Sequence, residues 1–304
     1  MSPEATATEP DPTAPASAAP KGAANPAAAS HVPPMLVIEP PRGWVSLNLK
    51  EVWRYRDLMR MLIWRDISSK YRQSVIGYGW VFIKPLVSVA IFAVVFGRLA
   101  KMSSDDAPYP LFALAALIPW NYFAGALSGV SSSVLGGSGL LTKVYFPRLI
   151  LPLASLGAGL ADLALQLILL AGMMIWFGYF PGWPLLLMPC FLLLTVATSL
   201  AFGLWLTALN VRYRDVGHAV PFLVQAWMWL SPVVYSSSLV PQRWRWLYGL
   251  NPMVGVIDGF RWCVLGTAAP DATLLGMSLA IVAITLLGGL VFFRRQEVTF
   301  ADII

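Results

Sequence analysis

The sequence predicts an all-α polytopic membrane protein with six transmembrane helices. Three observations carry that reading. The 304 residues are 58% hydrophobic and only 12% charged, about half the charge of an ordinary soluble domain. The apolar residues gather into six runs near the ~20 residues needed to cross ~30 Å of hydrocarbon. Between these runs lie short polar stretches whose backbone and cations cannot rest in lipid.

Residues 1–45 form an Ala- and Pro-rich tail without periodicity and without an apolar run of signal-peptide length. It is predicted to be disordered. Residues 46–78 are predicted to hold a cytoplasmic amphipathic interface helix. On a helical wheel Val52, Tyr55, Met59, Leu62 and Ile63 share one side, and Arg54, Asp57 and Arg65 the other, while Arg56 and Asp66 intrude on the apolar edge. An ordinary packed helix is the alternative for this stretch.

Residues 79–304 form the six-span domain. The first span is placed at 79–98, with Lys84-Pro85 in its first turns, where the lysine can snorkel to the interface. The second is placed at 111–135, the third at 149–176 and the fourth at 184–209. The fifth, 219–236, is broken near its end by Ser231-Pro232, and the last, 272–293, ends in Arg294-Arg295. Between spans two and three lies Leu140–Pro152, a loop that holds Lys143 and Arg148 between two long apolar runs. It reads either as a plain turn or as a handle gripped from outside the membrane. A second polar loop, Asn210–His218, follows span four.

The Trp-rich segment 237–271 is expected to form short re-entrant helices between spans five and six. Asn251-Pro252 reads as a helix cap with a first-turn proline, and Gly266 as the closing residue. Asp258 and Arg261, three apart, can pair on one face.

Charge sets the expected orientation. Of the 21 Lys and Arg, ten lie from Lys21 to Lys84, and Lys143, Arg148, Arg212, Arg214, Arg294 and Arg295 share their side. Arg98, Lys101, Arg243, Arg245 and Arg261 lie on the other. The excess puts both termini and both polar loops in the cytoplasm. It also accounts for the net charge of +6 without nucleic acid.

Catalytic chemistry is sparse. No Gly-x-x-x-x-Gly-Lys-Ser/Thr phosphate loop and no His-Glu-x-x-His occurs, and His31 and His218 lack metal-ligand neighbours. Cys190 and Cys263 read as small apolar residues. Asp105-Asp106 reads as a solvated turn, with a metal–diphosphate motif as the alternative. Asp162 is a carboxylate deep in a span, with Gln166 one turn on, so it is either functional or hydrogen-bonded to a neighbouring helix. Trp120, Tyr122, Trp227, Trp229 and Tyr235 are aromatics that suit an interfacial belt or the wall of a path.

Several motifs together resemble the permeases of ABC type-2 exporters. They are Lys70-Tyr-Arg-Gln-Ser-Val-Ile-Gly77, Lys143-Val-Tyr-Phe-Pro-Arg148 with Leu151-Pro152, Val211-Arg-Tyr-Arg-Asp215, Ser231-Pro232 and Asn251-Pro252-Met253. The resemblance covers about 45–304. Tyr-Phe-Pro-Arg and the aromatic content look most like the subfamily that exports O-antigen, capsule and teichoic chains.

That resemblance implies a homodimer in the bacterial inner membrane, served by two copies of a separate ATPase that holds ATP and magnesium. This chain itself would hold no cofactor and no metal. Lys143, Tyr145, Phe146 and Arg148, with Arg212, Arg214 and Asp215, would couple to the ATPases. Lys70, Arg72 or Lys84 would meet the head group of an undecaprenyl-diphosphate-linked glycan at a cytoplasmic gate. A drug or lipid exporter is the nearest alternative. A membrane-embedded glycosyl- or phosphotransferase would need acids or histidines grouped at one interface, and a secondary carrier more intramembrane charge and an inverted repeat; the sequence shows neither.

Overall fold

The computed structural model describes residues 49–72, 76–105, 107–141 and 143–300. The tail expected at 1–45, Gln73–Val75 of the first motif and Asp106 lie outside the described residues. Every regular element within them is helical. Two helices open the chain, α1 (Leu49–Arg54) and α2 (Arg56–Tyr71). Next comes α3 (Gly79–Phe92), which widens into a π-type stretch, Ala93–Leu99. Then follow α4 (Tyr109–Gly136), the short α5 (Ser138–Leu141), α6 (Ile150–Trp176) and α7 (Met188–Arg212). The chain continues through α8 (Asp215–Trp229), α9 (Arg245–Tyr248), α10 (Pro252–Leu265) and α11 (Ala272–Glu297).

The centre is α4. It packs against α6 and α7 and also meets α3, α8 and α10. Every residue from Leu111 to Trp120 is buried. Small residues allow that crowding, because lipid tails give helices little reason to associate except close packing. A Cβ on Gly203 of α7 would stand 2.5 Å from a methyl of Val130, and one on Gly129 would stand 2.5 Å from the Ser155 hydroxyl. The hydroxyls of Ser128, Ser131 and Ser133 on α4 donate to carbonyls three or four residues back, so they add no unpaired polar group. The Thr207 hydroxyl donates across to the Val130 carbonyl at 2.7 Å and ties α7 to α4.

Among the described residues, five helical stretches are long and apolar enough to span a membrane: 79–99, 109–136, 150–176, 183–212 and 272–297. They fall within three residues or so of the expected spans, except at the polar end of the last. The expected fifth span differs. Its helix, α8, has 15 residues and stops at Trp229, short of the ~20 that a crossing requires. Pro232 is the cause: it lacks an N–H and its ring clashes with the preceding turn.

The freed carbonyls beyond α8 find side-chain donors. Asn251 Nδ2 donates to the Leu230 carbonyl at 3.1 Å and the Ser231 hydroxyl at 2.9 Å. Arg261 donates to Val233 O at 2.8 Å and Tyr235 O at 3.2 Å, and the Tyr109 hydroxyl donates to Val234 O at 2.7 Å. Irregular backbone inside an apolar bundle persists only with such partners.

Helix α10 supplies most of those donors. Asn251 Oδ1 accepts the Met253 N–H at 3.0 Å, and Gly266 closes the helix at φ 61°, as the motif predicts. Arg261 is fully enclosed. Its guanidinium lies 3.5 Å from the centre of the Phe112 ring and donates to carbonyls, while Asp258 accepts from Ser237. Asp258 and Arg261 make no direct ion pair, but each charge favours the other, while the arginine's donors go to carbonyls and brace the fold.

Candidate functional site

Two features stand out: a pair of exposed loop tips on a common apolar base, and a polar groove beside the middle of α6. The first tip follows α5. Lys143, Val144 and Tyr145 are exposed, with Tyr145 at 59%, whereas the next residue, Phe146, is 4% exposed. Phe146 enters an apolar cluster with Val52, Leu62, Ile150, Val211, Phe293 and Phe300. Pro147 and Arg148 then start α6, their carbonyls accepting the N–H groups of Ile150 at 3.0 Å and Leu151 at 3.1 Å.

The C-terminal helix clamps this loop. The backbone N–H of Arg148 donates to Glu297 Oε1 at 3.0 Å, and Arg294 Nη1 pairs with the other oxygen of Glu297 at 3.0 Å. The Arg148 guanidinium lies 5.9 Å from the Phe300 ring centre, and Phe300 meets Phe293 edge-on at 5.5 Å. Among the expected loop residues, then, Lys143 and Tyr145 are presented outward, Phe146 anchors, and Arg148 lies half-buried against α11 and its end.

The second tip joins α7 to α8. Arg212, Tyr213, Arg214, Asp215 and His218 are all exposed. Asp215 begins α8, where the helix dipole favours a carboxylate. Val211, one residue before the tip, lies in the same cluster as Phe146, so both loops stand on one apolar base.

The groove lies between α2, α3, α4 and α6. Helix α2 lies on α6: a Cβ on Gly157 would stand 2.6 Å from the Ile63 side chain, so glycine is what allows the approach. The apolar wheel face therefore packs on protein, while Trp53, Met61 and Trp64 face outward. At the end of α2 the Lys70 ammonium forms an ion pair with Asp162, and the Tyr71 hydroxyl donates to the other carboxylate oxygen. Burial first, and the Asp162 carboxylate second, push the Tyr71 hydroxyl far above its ordinary range, so it remains a donor.

A cavity of about 350 Å³ opens beside this pair and is lined also by Trp80, Lys84, Ser88, Asn121 and Gln166. Asn121 donates to Gln166 at 3.2 Å, linking α4 to α6 across the floor. Lys84 lies 6.0 Å from the Trp80 ring centre. Of the three basic residues expected at a gate, Lys70 and Lys84 meet in this cavity, while Arg72 is exposed and does not line it.

The expected path aromatics separate into groups. Trp120 and Tyr122 are buried, and the Tyr122 hydroxyl donates to Leu156 O at 3.2 Å. Trp227 sits edge-on between Phe123 and Phe202, with its indole N–H on Asn251 Oδ1 at 2.8 Å. Tyr235 is half-buried beside Tyr248, and Trp229 is exposed. No group of three His, Cys, Asp or Glu comes together among the described residues. Asp105 accepts from the Ser236 hydroxyl at 2.7 Å.

Sequence reading left Asp162 without a named partner and did not single out Tyr71, Glu297 or Phe300. The (i, i+3) spacing of Arg294 and Glu297 was a usable signal. The 149-residue reach from Arg148 to Glu297 left none.

Residues 57–265 match the model of the ABC-2 type transporter family. Among curated relatives, the O-antigen export system permease protein RfbA of Myxococcus xanthus is 30% identical over 253 residues, 82% of this chain and 96% of the relative. A protein of the same name from Klebsiella pneumoniae is 24% identical, with coverage of 86% and 100%. The polysialic acid transport protein KpsM of Escherichia coli is 22% identical, with coverage of 78% and 92%.

Proposed function

This chain belongs to the ABC-2 type transporter family, and we propose that it is the membrane-spanning permease of an ATP-driven exporter of lipid-linked polysaccharide. The observation that carries the reading is the 30% identity to an O-antigen export permease across 96% of that relative. The KpsM likeness points to the same substrate class.

The family implies an ABC ATPase partner. We place that partner, in two copies, on the exposed tips Lys143–Tyr145 and Arg212–Asp215, with ATP and magnesium held by the ATPase. A second copy of this chain would complete a path for the polymer, and the exposed Trp229 suits its wall. The chain would sit in the bacterial inner membrane with both termini cytoplasmic. The head group of an undecaprenyl-diphosphate-linked glycan would dock in the groove at Lys70 and Lys84, with Arg72 near its mouth. Cationic side chains on a partly water-excluded wall suit a diphosphate, because charge-assisted hydrogen bonds strengthen as water leaves.

The test is reconstitution with the cognate ATPase in lipid nanodiscs. Stimulation of ATP hydrolysis by undecaprenyl-diphosphate-linked glycan, and not by drug-like cations or bulk lipid, is the expected result. Stimulation by a drug or by bulk lipid alone would move the chain to the second reading, a small-molecule or lipid exporter.

A further inference from the structure

We propose that Asp162 is a resident competitor for the substrate's phosphate: its carboxylate occupies Lys70 while the groove is empty and yields it when an anionic head group arrives. The inference rests on the reading of the groove as the head-group dock and goes one step beyond it.

Asp162 lies twelve residues past the start of α6, and Trp176 at its far end is fourteen positions, or ~21 Å of helix, further on. A carboxylate at such depth persists only with partners. It has two, the Lys70 ammonium and the Tyr71 hydroxyl, both from the end of α2. The pair lines the cavity, with Asp162 20% and Lys70 56% exposed, so an incoming anion can reach it. Lys84 faces the same cavity, and the six ion pairs among the described residues do not include it. Two ammonium groups and one carboxylate therefore surround a space of about 350 Å³, large enough for a diphosphate.

A phosphate oxygen brought to Lys84 meets Lys70 already neutralised and Asp162 repelling it. Binding then requires exchange: the phosphate oxygen takes the Lys70 ammonium, and Asp162 keeps the Tyr71 hydroxyl as its remaining donor. The exchange keeps head-group binding reversible, since Asp162 can reclaim Lys70 when the head group moves on. A lipid with a neutral head cannot drive it. No bond is made or broken beyond hydrogen bonds and ion pairs.

The test uses the full chain in nanodiscs, with fluorescent undecaprenyl diphosphate as the probe. Asp162→Asn should bind it about tenfold more tightly than the parent, and Lys84→Ala about tenfold more weakly. If Asp162→Asn binds equally or more weakly while Lys84→Ala still weakens binding, the competitor role fails and the head-group dock survives. If neither Lys84→Ala nor Lys70→Ala weakens binding, both fail. Inorganic pyrophosphate and phosphatidylglycerol vesicles are run alongside. A gain with pyrophosphate as well assigns the exchange to the phosphates themselves. A gain with phosphatidylglycerol but not with the diphosphate lipid overturns the proposal.

Carbodiimide labelling of the unmutated chain gives a readout that does not depend on a variant folding. Added undecaprenyl diphosphate should raise modification of Asp162 several-fold by freeing it from Lys70. Unchanged or lower labelling overturns the exchange.

Discussion

The backbone N–H of Arg148 donates to the Glu297 carboxylate at 3.0 Å, joining the first loop to the end of the last helix. Glu297 also holds Arg294, so one carboxylate serves both elements. Both loop tips stand on the cluster that contains Phe293 and Phe300, so packed side chains join them to α11 and its end.

Glu297→Ala should free the Arg148 amide, at a cost of ~1–3 kcal/mol for an unmet donor. Hydrogen exchange across 143–151 should quicken at least about tenfold, and Glu297→Gln, which keeps an acceptor, should recover part of the protection. Equal exchange in all three proteins would remove the clamp.

Tyr145 and Phe146 should separate stability from partner binding. Phe146→Ala empties a buried site and should lower stability by ~3–5 kcal/mol. Tyr145→Ala changes an exposed ring and should shift stability by no more than ~0.5 kcal/mol while reducing ATPase co-purification. Thermal unfolding in detergent checks the first half and pull-down the second. Similar melting shifts for the two variants would contradict the division of roles.

Arg261→Met should be among the most damaging single changes. It leaves the carbonyls of Val233 and Tyr235, in irregular backbone, without their donor, at ~1–3 kcal/mol each, and removes a second donor from the Phe112 carbonyl. Arg261→Lys should rescue little, because one ammonium cannot reproduce the guanidinium fork. Folded yield and melting temperature are the measurements, and a lysine variant as stable as the parent would refute the scaffold role.

Gly259→Ala should destabilise by ~1–3 kcal/mol through overpacking, since its new Cβ would fall well inside contact distance of the Phe191 ring. Adding Phe191→Leu should return part of that loss. A double-mutant cycle with no coupling would show that the two residues do not compete for the space.

Much of the fold was legible from local signals. The bounds of α4, α6 and α10 follow from hydropathy, the Asn251 cap and Gly266, each readable within a few residues of chain. The expected fifth span was misjudged in extent for a local reason too: Pro232 was visible, but whether the helix resumed beyond it depended on donors elsewhere. Those donors, Asn251, Arg261 and Tyr109, come from 21 to 125 residues away.

The candidate site divides in the same way. The exposed tips Lys143–Tyr145 and Arg212–Asp215 could be found because cations and polar backbone are excluded from hydrocarbon wherever the helices pack. By contrast, the burial of Phe146 beside an exposed Tyr145 depends on α11 arriving underneath.

By itself, then, the sequence determined where most of the long helices begin and end and which polar stretches interrupt them. The tertiary structure alone decided which groups meet: Lys70 with Asp162 across 92 residues, and Arg148 with Glu297 across 149. The reason is physical. Helix propensity, capping and hydropathy act over a turn or two of chain, whereas the partner of a charge or a freed carbonyl is set by which helices small residues allow to approach.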